Sequence, residues 1–450
     1  MNRLSGLILS SLLCLMSAFL MTGCYNSESR QEVLKVYNWG DYIDEDILAE
    51  FPEWYKEQTG EDIRVIYQTF DINEIMLTKI ERGHEDFDVV CPSEYIIERM
   101  IRKDLLLPID TVFGDTPNYL HNQSDYIRKE IDKLGRPERP ASLYTVGYMW
   151  GTAGILYNKK YVTDDEALTW NSLWDEKFRS KLLMKDSYRD AYGTAVIYAN
   201  RDKLKSGELT VEDLMNNYSP EAIATAEEYL KALKPNIAGW EADFGKEMMT
   251  KSKAYLNMTW SGDAVWAIEE ADAVGVELGY EVPLEGSNVW FDGWVIPKYS
   301  RNRKAASYFI NYLCRPDVAI ANMETTGYVS VIATPEILEE RIDTTLDAHV
   351  NLSYFFGSGH DDVQIDPIQY PDSSVVARCA IIRDAGDNTE AVLEMWSHVK
   401  GDNLGGGIVM VILLTLVALV AYVGYNKIKK YKHKRLQRGR KRRRKRFGSL

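Results

Sequence analysis

The sequence has few of the residues on which metal and redox chemistry depend. Its 450 residues include five cysteines and six histidines. The cysteines are widely spaced, with neither a C-x-x-C pair nor a metal-ligand pattern, and the histidines are scattered. A nucleophile elbow is also missing. These absences argue against a metal site and against a hydrolase that uses a nucleophile elbow. Cys91, Cys314 and Cys379 are predicted to be core thiols with at most one disulfide.

Positive charge is scarce outside the C-terminal segment. The formal net charge is -14, yet Lys427 to Arg446 contains fourteen Lys or Arg residues and no acid. The rest of the chain is therefore strongly acidic, and such a surface concentrates cations and repels nucleic acid. Nucleic acid is accordingly not an expected partner. The apolar content of 45% is sufficient for large cores, and the length allows two or three domains.

The N-terminus has the features of an export signal. Arg3 precedes an apolar run from Leu7 to Met21, followed by Thr22-Gly23-Cys24. This pattern resembles a bacterial lipoprotein signal, which implies that residues 1–23 are removed and that Cys24 carries the lipid before a linker over 24–32. The alternative is an uncleaved anchor helix. Both predict that the body of the protein lies outside the cytoplasm.

A second apolar segment lies near the C-terminus. Residues 408–425 form an uncharged apolar run of a length near the minimum for crossing a bilayer, and the basic cluster follows immediately. The apolar run predicts a transmembrane helix over 408–425. The positive-inside rule then predicts that the tail over 426–450 is cytoplasmic. The tail is predicted to stop transfer and anchor the chain, with binding of anionic lipid or RNA as the alternative.

Alternating strands and helices begin the body of the chain. Strands are predicted at Val33–Trp39, Ile63–Thr69 and Phe87–Cys91, each followed by a helix. This alternation is typical of a parallel sheet with helices on its faces, and such sheets bind ligands beyond the carboxyl ends of their strands. Three polar-aromatic turns lie at those ends: Trp39 to Tyr42, Thr69 to Asp71, and Pro92 to Tyr95.

The later elements predict a second lobe joined to the first by a hinge. The glycine-punctuated run 144–158 is long for one strand and is interpreted as a crossover, and the strand Val289–Pro297 returns the chain to the first lobe. We therefore expect a two-lobed α/β fold with a hinge, with lobe 1 formed by 33–148 and 289–330 and lobe 2 formed by 149–288 and 331–400.

Asp292 lies in the middle of the predicted strand Val289–Pro297. In an extended chain it shares a face with Trp290 and Trp294, because side chains alternate. Burying an ionised carboxylate costs several kcal/mol unless it is paired. One explanation is a structural ion pair with an internal Arg or Lys. The other is an ammonium ligand, since aromatic faces attract cations.

Several motifs together resemble the spermidine/putrescine-binding proteins of polyamine ABC transporters, which have a type II periplasmic-binding-protein fold. The resemblance covers about Leu34 to Lys400. It depends on Tyr37-Asn38-Trp39, Asp88-Val89-Val90, Pro92-Ser93-Glu94-Tyr95, Tyr148-Met149-Trp150-Gly151, Trp170 to Trp174, Trp260-Ser261-Gly262, Trp290-Phe291-Asp292, Cys314 to Asp317, and Glu324 to Tyr328.

The resemblance implies a set of ligand-binding residues. It implies that Asp292 holds a ligand nitrogen, that Asp190 stands where a family Glu binds an amine, and that the cleft is walled by Trp39, Tyr42, Ser93, Tyr95, Trp260, Trp290 and Tyr328. Two departures stand out. Ser187 occupies the position of a second amine-binding Asp in some members, and a family Gln has no match near Ile382 and Arg383. Fewer counter-charges favour a diamine over a triamine.

We therefore expect a non-enzymatic substrate-binding component of an ABC importer. It is expected to capture putrescine or spermidine in the periplasm without a cofactor or metal, to be anchored to the cytoplasmic membrane, and to deliver the ligand to inner-membrane permease subunits. The alternatives are a membrane-tethered polyamine sensor and a secreted hydrolase using paired carboxylates.

Overall fold

The computed structural model describes residues 29–242, 244–401, 415 and 422. The predicted signal peptide 1–23, the linker up to residue 28 with Cys24, and the tail 426–450 lie outside the described residues. Thr389 is the last residue of one compact unit, and a second unit begins at Glu390. The architecture that follows is that of the first unit.

Thirteen strands are present in the described residues. In chain order they are β1 Val33–Trp39, β2 Arg64–Phe70, β3 Val89–Val90, β4 Leu106–Leu107, β5 Thr145–Asn158, β6 Leu182–Lys185, β7 Ile237–Glu241, β8 Leu256–Trp260, β9 Leu278–Glu281, β10 Val289–Pro297, β11 Val329–Ser330, β12 His349–Val350 and β13 Val363–Gln364.

The α-helices alternate with these strands through most of the described chain. They are α1 Glu45–Thr59, α2 Asn73–Glu81, α3 Glu94–Arg102, α4 Asp125–Asp132, α5 Asp164–Ala167, α6 Asn171–Trp174, α7 Tyr188–Ala199, α8 Arg201–Ser206, α9 Val211–Met215, α10 Pro220–Leu233, α11 Gly245–Thr250, α12 Ser261–Asp272, α13 Arg303–Leu313, α14 Pro316–Thr326, α15 Pro335–Arg341, α16 Ser353–Phe356, α17 Ser373–Val376 and α18 Thr389–Gly401, which belongs to the second unit from Glu390 onward.

Eleven strands form one mixed sheet in which the order of the main path is β2-β1-β3-β10-β5-β8-β6-β7. The parallel pairing predicted from the alternation is present at both ends, where β1 pairs with β2 and β3, and β6 pairs with β7 and β8. β5 and β10 between them are antiparallel to each other and to their neighbours β3 and β8. Two parallel blocks are thus joined through one antiparallel pair.

Local sequence explains the first block well. Val33 to Trp39 is buried for most of its length, as expected of a central parallel strand covered on both faces. Asp44 caps α1 by accepting a hydrogen bond from the Asp46 amide, and Gly60 ends the helix with a φ of 74°. Ile47, Phe51 and Tyr55 form the buried stripe of α1 at a spacing of four residues.

The buried apolar residues form separate clusters on the two parts of the sheet. One large cluster includes residues of β1, β3 and β10, and a smaller one includes Leu156, Leu183, Met249 and Leu278. These cores agree with the predicted two-lobed α/β architecture. Buried residues from Val350 to Ile381, in a range assigned from the sequence to lobe 2, belong to the large cluster. The lobe boundaries therefore stay a prediction.

The predicted transmembrane helix needs a correction. Among the described residues, no helix has the length and apolar content required to cross a bilayer. The range 408–425, apart from Thr415 and Tyr422, lies outside the described residues. The fold class is therefore a two-lobed α/β fold without a membrane-spanning helix in the described part of the chain. The prediction of a cytoplasmic tail over 426–450 depended on that helix and loses its support.

The run interpreted as a crossover is a single strand. Residues Thr145–Asn158 form β5, and all fourteen are buried. A Cβ at Gly147 would lie 2.9 Å from a Val331 methyl, and one at Gly151 would lie 2.9 Å from the Trp290 ring. The glycines thus allow side chains of other elements to approach the strand rather than interrupt it.

Candidate functional site

Asp292 lies in the centre of β10 and is 7% exposed. Tyr42 donates its hydroxyl to Oδ2 of Asp292 at 2.9 Å, and Ser93 forms a β-bridge with Asp292. Burial raises the pKa of Asp292 to about 6, although hydrogen bonds from Ser93 and Tyr42 lower it. In the described part of the chain no Lys or Arg forms an ion pair with this carboxylate. The described residues therefore do not provide the internal Arg or Lys that a structural ion pair with Asp292 requires.

Aromatic rings gather beside this carboxylate. The ring of Tyr328 lies 5.5 Å from that of Tyr42 and 5.4 Å from that of Trp290, both edge-to-face. A Cβ at Gly262 would overlap the Tyr328 ring, so this close approach requires glycine. Three of the predicted ligand-binding residues therefore form one continuous aromatic group.

Trp294, which is predicted to share a face with Asp292 and Trp290, lies in the core. It is 1% exposed and packs against Tyr148 and Phe309, at ring distances of 5.0 and 5.8 Å. The pairing of β10 with β5 shifts register between Phe291 and Gly293. The extra residue lies on β5, where Tyr148 and Met149 stand opposite Asp292, so the irregularity is in the partner strand and β10 itself continues without an inserted residue.

Asn73 connects two further predicted residues. Its Nδ2 donates to Ser93 Oγ at 3.0 Å and to the Tyr95 hydroxyl at 2.9 Å. Trp39, at the end of β1, packs against Phe70 at 4.5 Å and has a buried indole N–H without a partner among the described residues. Ser93, Tyr95 and Trp39 thus follow strands β3 and β1, at the carboxyl ends where ligands bind in such sheets.

Asp190 and Trp260 lie together beyond the ends of β6 and β8. Asp190 is 6% exposed and accepts a hydrogen bond from Asn288 at 3.1 Å. Burial raises its pKa, whereas hydrogen bonds from Ser187, Asn288 and Trp260 and the charge of Lys185 lower it. Asp190 is thus a second buried carboxyl group, with hydrogen bonds that partly stabilise its charge.

Lys185 is a buried cation in the same region. Its Nζ lies 2.5 Å from Asp263 Oδ2, 3.1 Å from Glu241 Oε1 and 4.5 Å from the centre of the Trp260 ring. Tyr328 donates its hydroxyl to Asp263 Oδ1 at 3.1 Å. The Lys185 ammonium, beside two carboxylates and an indole ring, therefore has the same kind of surroundings that are expected for the ammonium group of a bound ligand.

The contacts that join the side of the site formed by α2, α3 and Tyr328 to the side formed by α7 and α12 include three that involve polar side chains. Tyr188 donates to Glu74 Oε1 at 2.7 Å, and the Arg189 guanidinium lies 3.7 Å from the centre of the Tyr95 ring. The bond from Tyr328 to Asp263 is the third. All three use residues next to, or among, the predicted ligand-binding residues.

Sequence reasoning missed several of these residues. Lys185, Arg189, Asn73 and Asn288 have polar side chains, but their partners are distant in sequence, so no local pattern identifies them. A cavity of about 380 Å³ lies elsewhere, and it is lined by Tyr126, Glu130, Lys133, Glu212 and Tyr354 among others. None of the predicted ligand-binding residues lines it. The described residues contain no cluster of three or more metal-ligating side chains.

The chain matches known proteins over most of its length. Residues 53–343 match the family model of bacterial extracellular solute-binding proteins. The chain is 28% identical over 373 residues to the spermidine/putrescine-binding periplasmic protein of Salmonella typhimurium, which covers 83% of this chain and 92% of that protein. It is 27% identical over 355 residues to the putrescine-binding periplasmic protein PotF of Escherichia coli, with coverage of 75% and 86%.

A solved structure has the same fold. The spermidine/putrescine ABC transporter substrate-binding protein PotD from Streptococcus pneumoniae is 28% identical, covers 82% of this chain and 100% of its own, and superposes with a TM-score of 0.58. The family model covers more than half of the chain. The chain belongs to the family of bacterial extracellular solute-binding proteins.

Proposed function

We propose that this protein is the substrate-binding component of an ABC importer and captures a linear polyamine, putrescine or spermidine, in the periplasm. The observation that carries the proposal is the buried Asp292 carboxylate, which has no internal cation in the described part of the chain. An ammonium ligand supplies that cation. The names of the relatives agree with it, because two of them bind putrescine or spermidine and a third serves a spermidine/putrescine transporter.

The surroundings of Asp292 suit the rest of such a ligand. A linear polyamine alternates ammonium groups with methylene chains, so its site needs carboxylates at intervals and apolar faces between them. The rings of Trp290, Tyr328 and Tyr42 adjoin Asp292. Asp190 with Trp260 supplies a second carboxyl group beside an indole. The aromatic faces attract cations and cover methylenes, and the carboxylates bind the amines.

Binding energy in such a site comes from replacing water by protein around the amine. The two lobes are proposed to close on the ligand, as in other periplasmic binding proteins, which excludes water and strengthens each charge contact. The closed form would then be delivered to the permease subunits in the inner membrane. Lipidation at Cys24 is proposed to hold the protein at the membrane surface.

A thermal-shift panel tests the function. The full-length chain is heated with putrescine, spermidine, cadaverine, a set of amino acids and a set of sugars. The linear amines should raise the melting temperature in a concentration-dependent way, because a ligand that binds only the folded state stabilises it. A rise with an amino acid or a sugar, and none with any amine, would reject the proposal.

A diamine is the proposed preferred ligand. At the position of Ser187 some family members have an Asp that pairs with an amine, and the Ser187 hydroxyl has no charge with which to do so. Its side chain instead caps α7 by accepting a hydrogen bond from the Asp190 backbone amide. Titration calorimetry with putrescine and spermidine compares the two ligands directly. Putrescine should bind at least as tightly, and a much tighter complex with spermidine would contradict the preference while leaving the polyamine function intact.

A further inference from the structure

Glu94 is a buried acid to which neither the fold nor the proposed ligand site assigns a role. It is the first residue of α3 and is 2% exposed. Its Oε2 has no hydrogen-bond partner in the described part of the chain. An acid left in this state costs the folded protein free energy, because a buried polar atom without a partner loses its bonds to water.

The residues on either side of Glu94 both belong to the candidate site. Ser93 forms the bridge to Asp292, and Tyr95 lies under the guanidinium of Arg189. Burial raises the pKa of Glu94 well above its usual range, and the nearby carboxylates of Asp292 and Asp190 raise it further. The positive charge of Arg189 opposes this increase only weakly. The pKa of Glu94 is therefore affected by the negative charges of both carboxylates to which the proposed function assigns ligand amines.

Arg189 does not serve as the partner of Glu94. Its guanidinium stacks on Tyr95 and Tyr188, and its ion pair at 3.9 Å is with Glu74. A role limited to packing also explains the acid poorly, because an apolar residue of similar size would fill the space without leaving an oxygen unpaired. A cation that enters between the lobes would satisfy Glu94 and Asp292 together.

We propose that Glu94 is a further ligand-binding residue, whose carboxyl group shares with Asp292 the ammonium end of the bound amine. This inference rests on the proposed function and extends it by naming a specificity-determining residue. Two carboxyl groups on one ammonium match a primary amine, since its three N–H donors require several acceptors. A quaternary nitrogen, which has no N–H donor, would leave both carboxyl groups without a hydrogen bond.

The pair of acids couples binding to a proton. Close carboxyl groups in a buried site do not both ionise without a cation, so Glu94 holds its proton in the unliganded protein. Arrival of the ammonium stabilises the ionised form and releases the proton. The amine itself stays charged, because alkylammonium groups titrate near pH 10.4, about where Lys does. Binding of putrescine near neutral pH should therefore release protons to the buffer.

The test is titration calorimetry of the full-length chain with putrescine at neutral pH, in phosphate and in Tris, whose ionisation enthalpies differ. The variants are Glu94→Gln, which keeps the shape of the side chain, and Glu57→Gln, which removes the same charge from the exposed side of α1. We expect Glu94→Gln to bind about 10- to 100-fold more weakly, the range for losing a hydrogen bond to a charged group. Proton release should fall in this variant and stay unchanged in Glu57→Gln.

The outcomes separate this inference from the proposed function. Wild-type binding with equal affinity and equal proton release in Glu94→Gln would overturn the role of Glu94 and leave polyamine binding standing. A wild-type chain that binds no amine would reject both. If Glu94→Gln does not fold, the wild-type measurement at pH 7.5 decides, because Asp292 with its pKa of about 6 is then almost fully ionised and has almost no proton to release. Putrescine binding without proton release at this pH contradicts the proposal, and binding with release supports it.

Discussion

At the scale of single residues, the site is organised around the buried carboxyl group of Asp292, which pairs with no cation in the described part of the chain. Asp292 receives hydrogen bonds from Tyr42 and Ser93, and these only partly offset the cost of burial. Asp88 shows the contrast, since it is equally buried but bonds to Arg30 at 2.8 Å and to the Ser300 hydroxyl and three backbone amides. The protein fully satisfies a structural carboxylate and leaves Asp292 in need of a cation.

Replacing Asp292 by Asn should therefore weaken binding without weakening the fold. We expect Asp292→Asn to lose about 2 to 4 kcal/mol of putrescine binding, since the desolvated ammonium would lack its counter-charge. The unliganded melting temperature should not fall, because the amide is not ionised and removes the cost of a buried charge. Titration calorimetry and a thermal melt measure the two quantities, with Asp62→Asn on the surface as control. Wild-type affinity in Asp292→Asn would remove this residue from the site.

The raised pKa of Asp292 predicts how binding depends on pH. The folded-state pKa of about 6 lies above the ordinary value of 3.8, so the folded protein binds this proton more tightly than the unfolded chain does. The group's contribution to stability is therefore fully present below pH 3.8 and is lost as the pH rises through 6. A bound ammonium offsets that loss by pairing with the ionised form.

Putrescine should consequently stabilise the protein more at pH 7.5 than at pH 5. We expect its affinity to fall by up to about tenfold per unit below the pKa of Asp292, because the ligand must then displace a proton. Thermal shifts measured with and without putrescine across this range provide the check. In Asp292→Asn the dependence should be shallower. An equal shift at both pH values in the wild type would contradict the assignment.

Sequence reasoning located most of these residues but not their geometry. Trp290, Asp292, Tyr328 and Tyr42 meet as expected, because their motifs follow strands of one sheet. The register shift beside Asp292 was not predictable, since it depends on pairing with β5. Glu94 was missed for a related reason. An acid in the first turn of a helix is locally favourable and ordinarily exposed, and only the packing between the lobes makes it unusual.

At the scale of elements, one lysine connects two strands and a helix. Lys185 ends β6, and its ammonium pairs with Glu241 at the end of β7 and Asp263 in the first turn of α12. All three side chains are largely buried, with 1%, 1% and 13% exposed. Removing one partner from such a network leaves charges that no water solvates.

We expect Lys185→Met to lower the free energy of unfolding by about 3 to 5 kcal/mol, the usual cost of leaving buried charges unpaired. Urea denaturation measures this change. Lys251→Met is the matched control, because Lys251 pairs with Glu247 on the exposed surface and such pairs contribute little. A denaturation midpoint of Lys185→Met equal to that of the control would show that the network contributes nothing.

The elements also show where sequence patterns are sufficient. β1 lies at Val33–Trp39 as predicted, because its dense apolar content matches a strand covered on both faces. β5 was interpreted as a crossover because the run is long for one strand and is punctuated by glycines. In the structure the glycines leave room for the side chains of Val331, Trp290 and Ser261, which come from other elements. The pattern of a single sequence does not reveal such contacts between distant elements.

At the scale of the whole molecule, the described structure is held together across the site by a few polar contacts. The hydrogen bond from Tyr188 to Glu74 joins α7 to α2, and the stacking of Arg189 on Tyr95 lies beside it. A protein that closes on its ligand needs such contacts to be weak enough to open. If the lobes close as proposed, the strength of these contacts sets the population of the closed form and, with it, the apparent affinity.

Tyr188→Phe should shift the unliganded protein toward an open form. The substitution removes the hydroxyl that donates to Glu74 and keeps the ring beside Arg189, so only one contact across the site is lost. We expect a larger radius of gyration without ligand in small-angle X-ray scattering and a faster dissociation of putrescine. Saturating putrescine should restore the wild-type radius, because ligand contacts favour closure.

Tyr157→Phe provides the control for this experiment. Tyr157 also donates to a carboxylate, that of Asp164, but both residues lie within the range predicted for lobe 2. The same chemical change should therefore leave the radius of gyration and the dissociation rate as they are in the wild type. If Tyr188→Phe and Tyr157→Phe behave alike in both measurements, the hydrogen bond between α7 and α2 does not control closure.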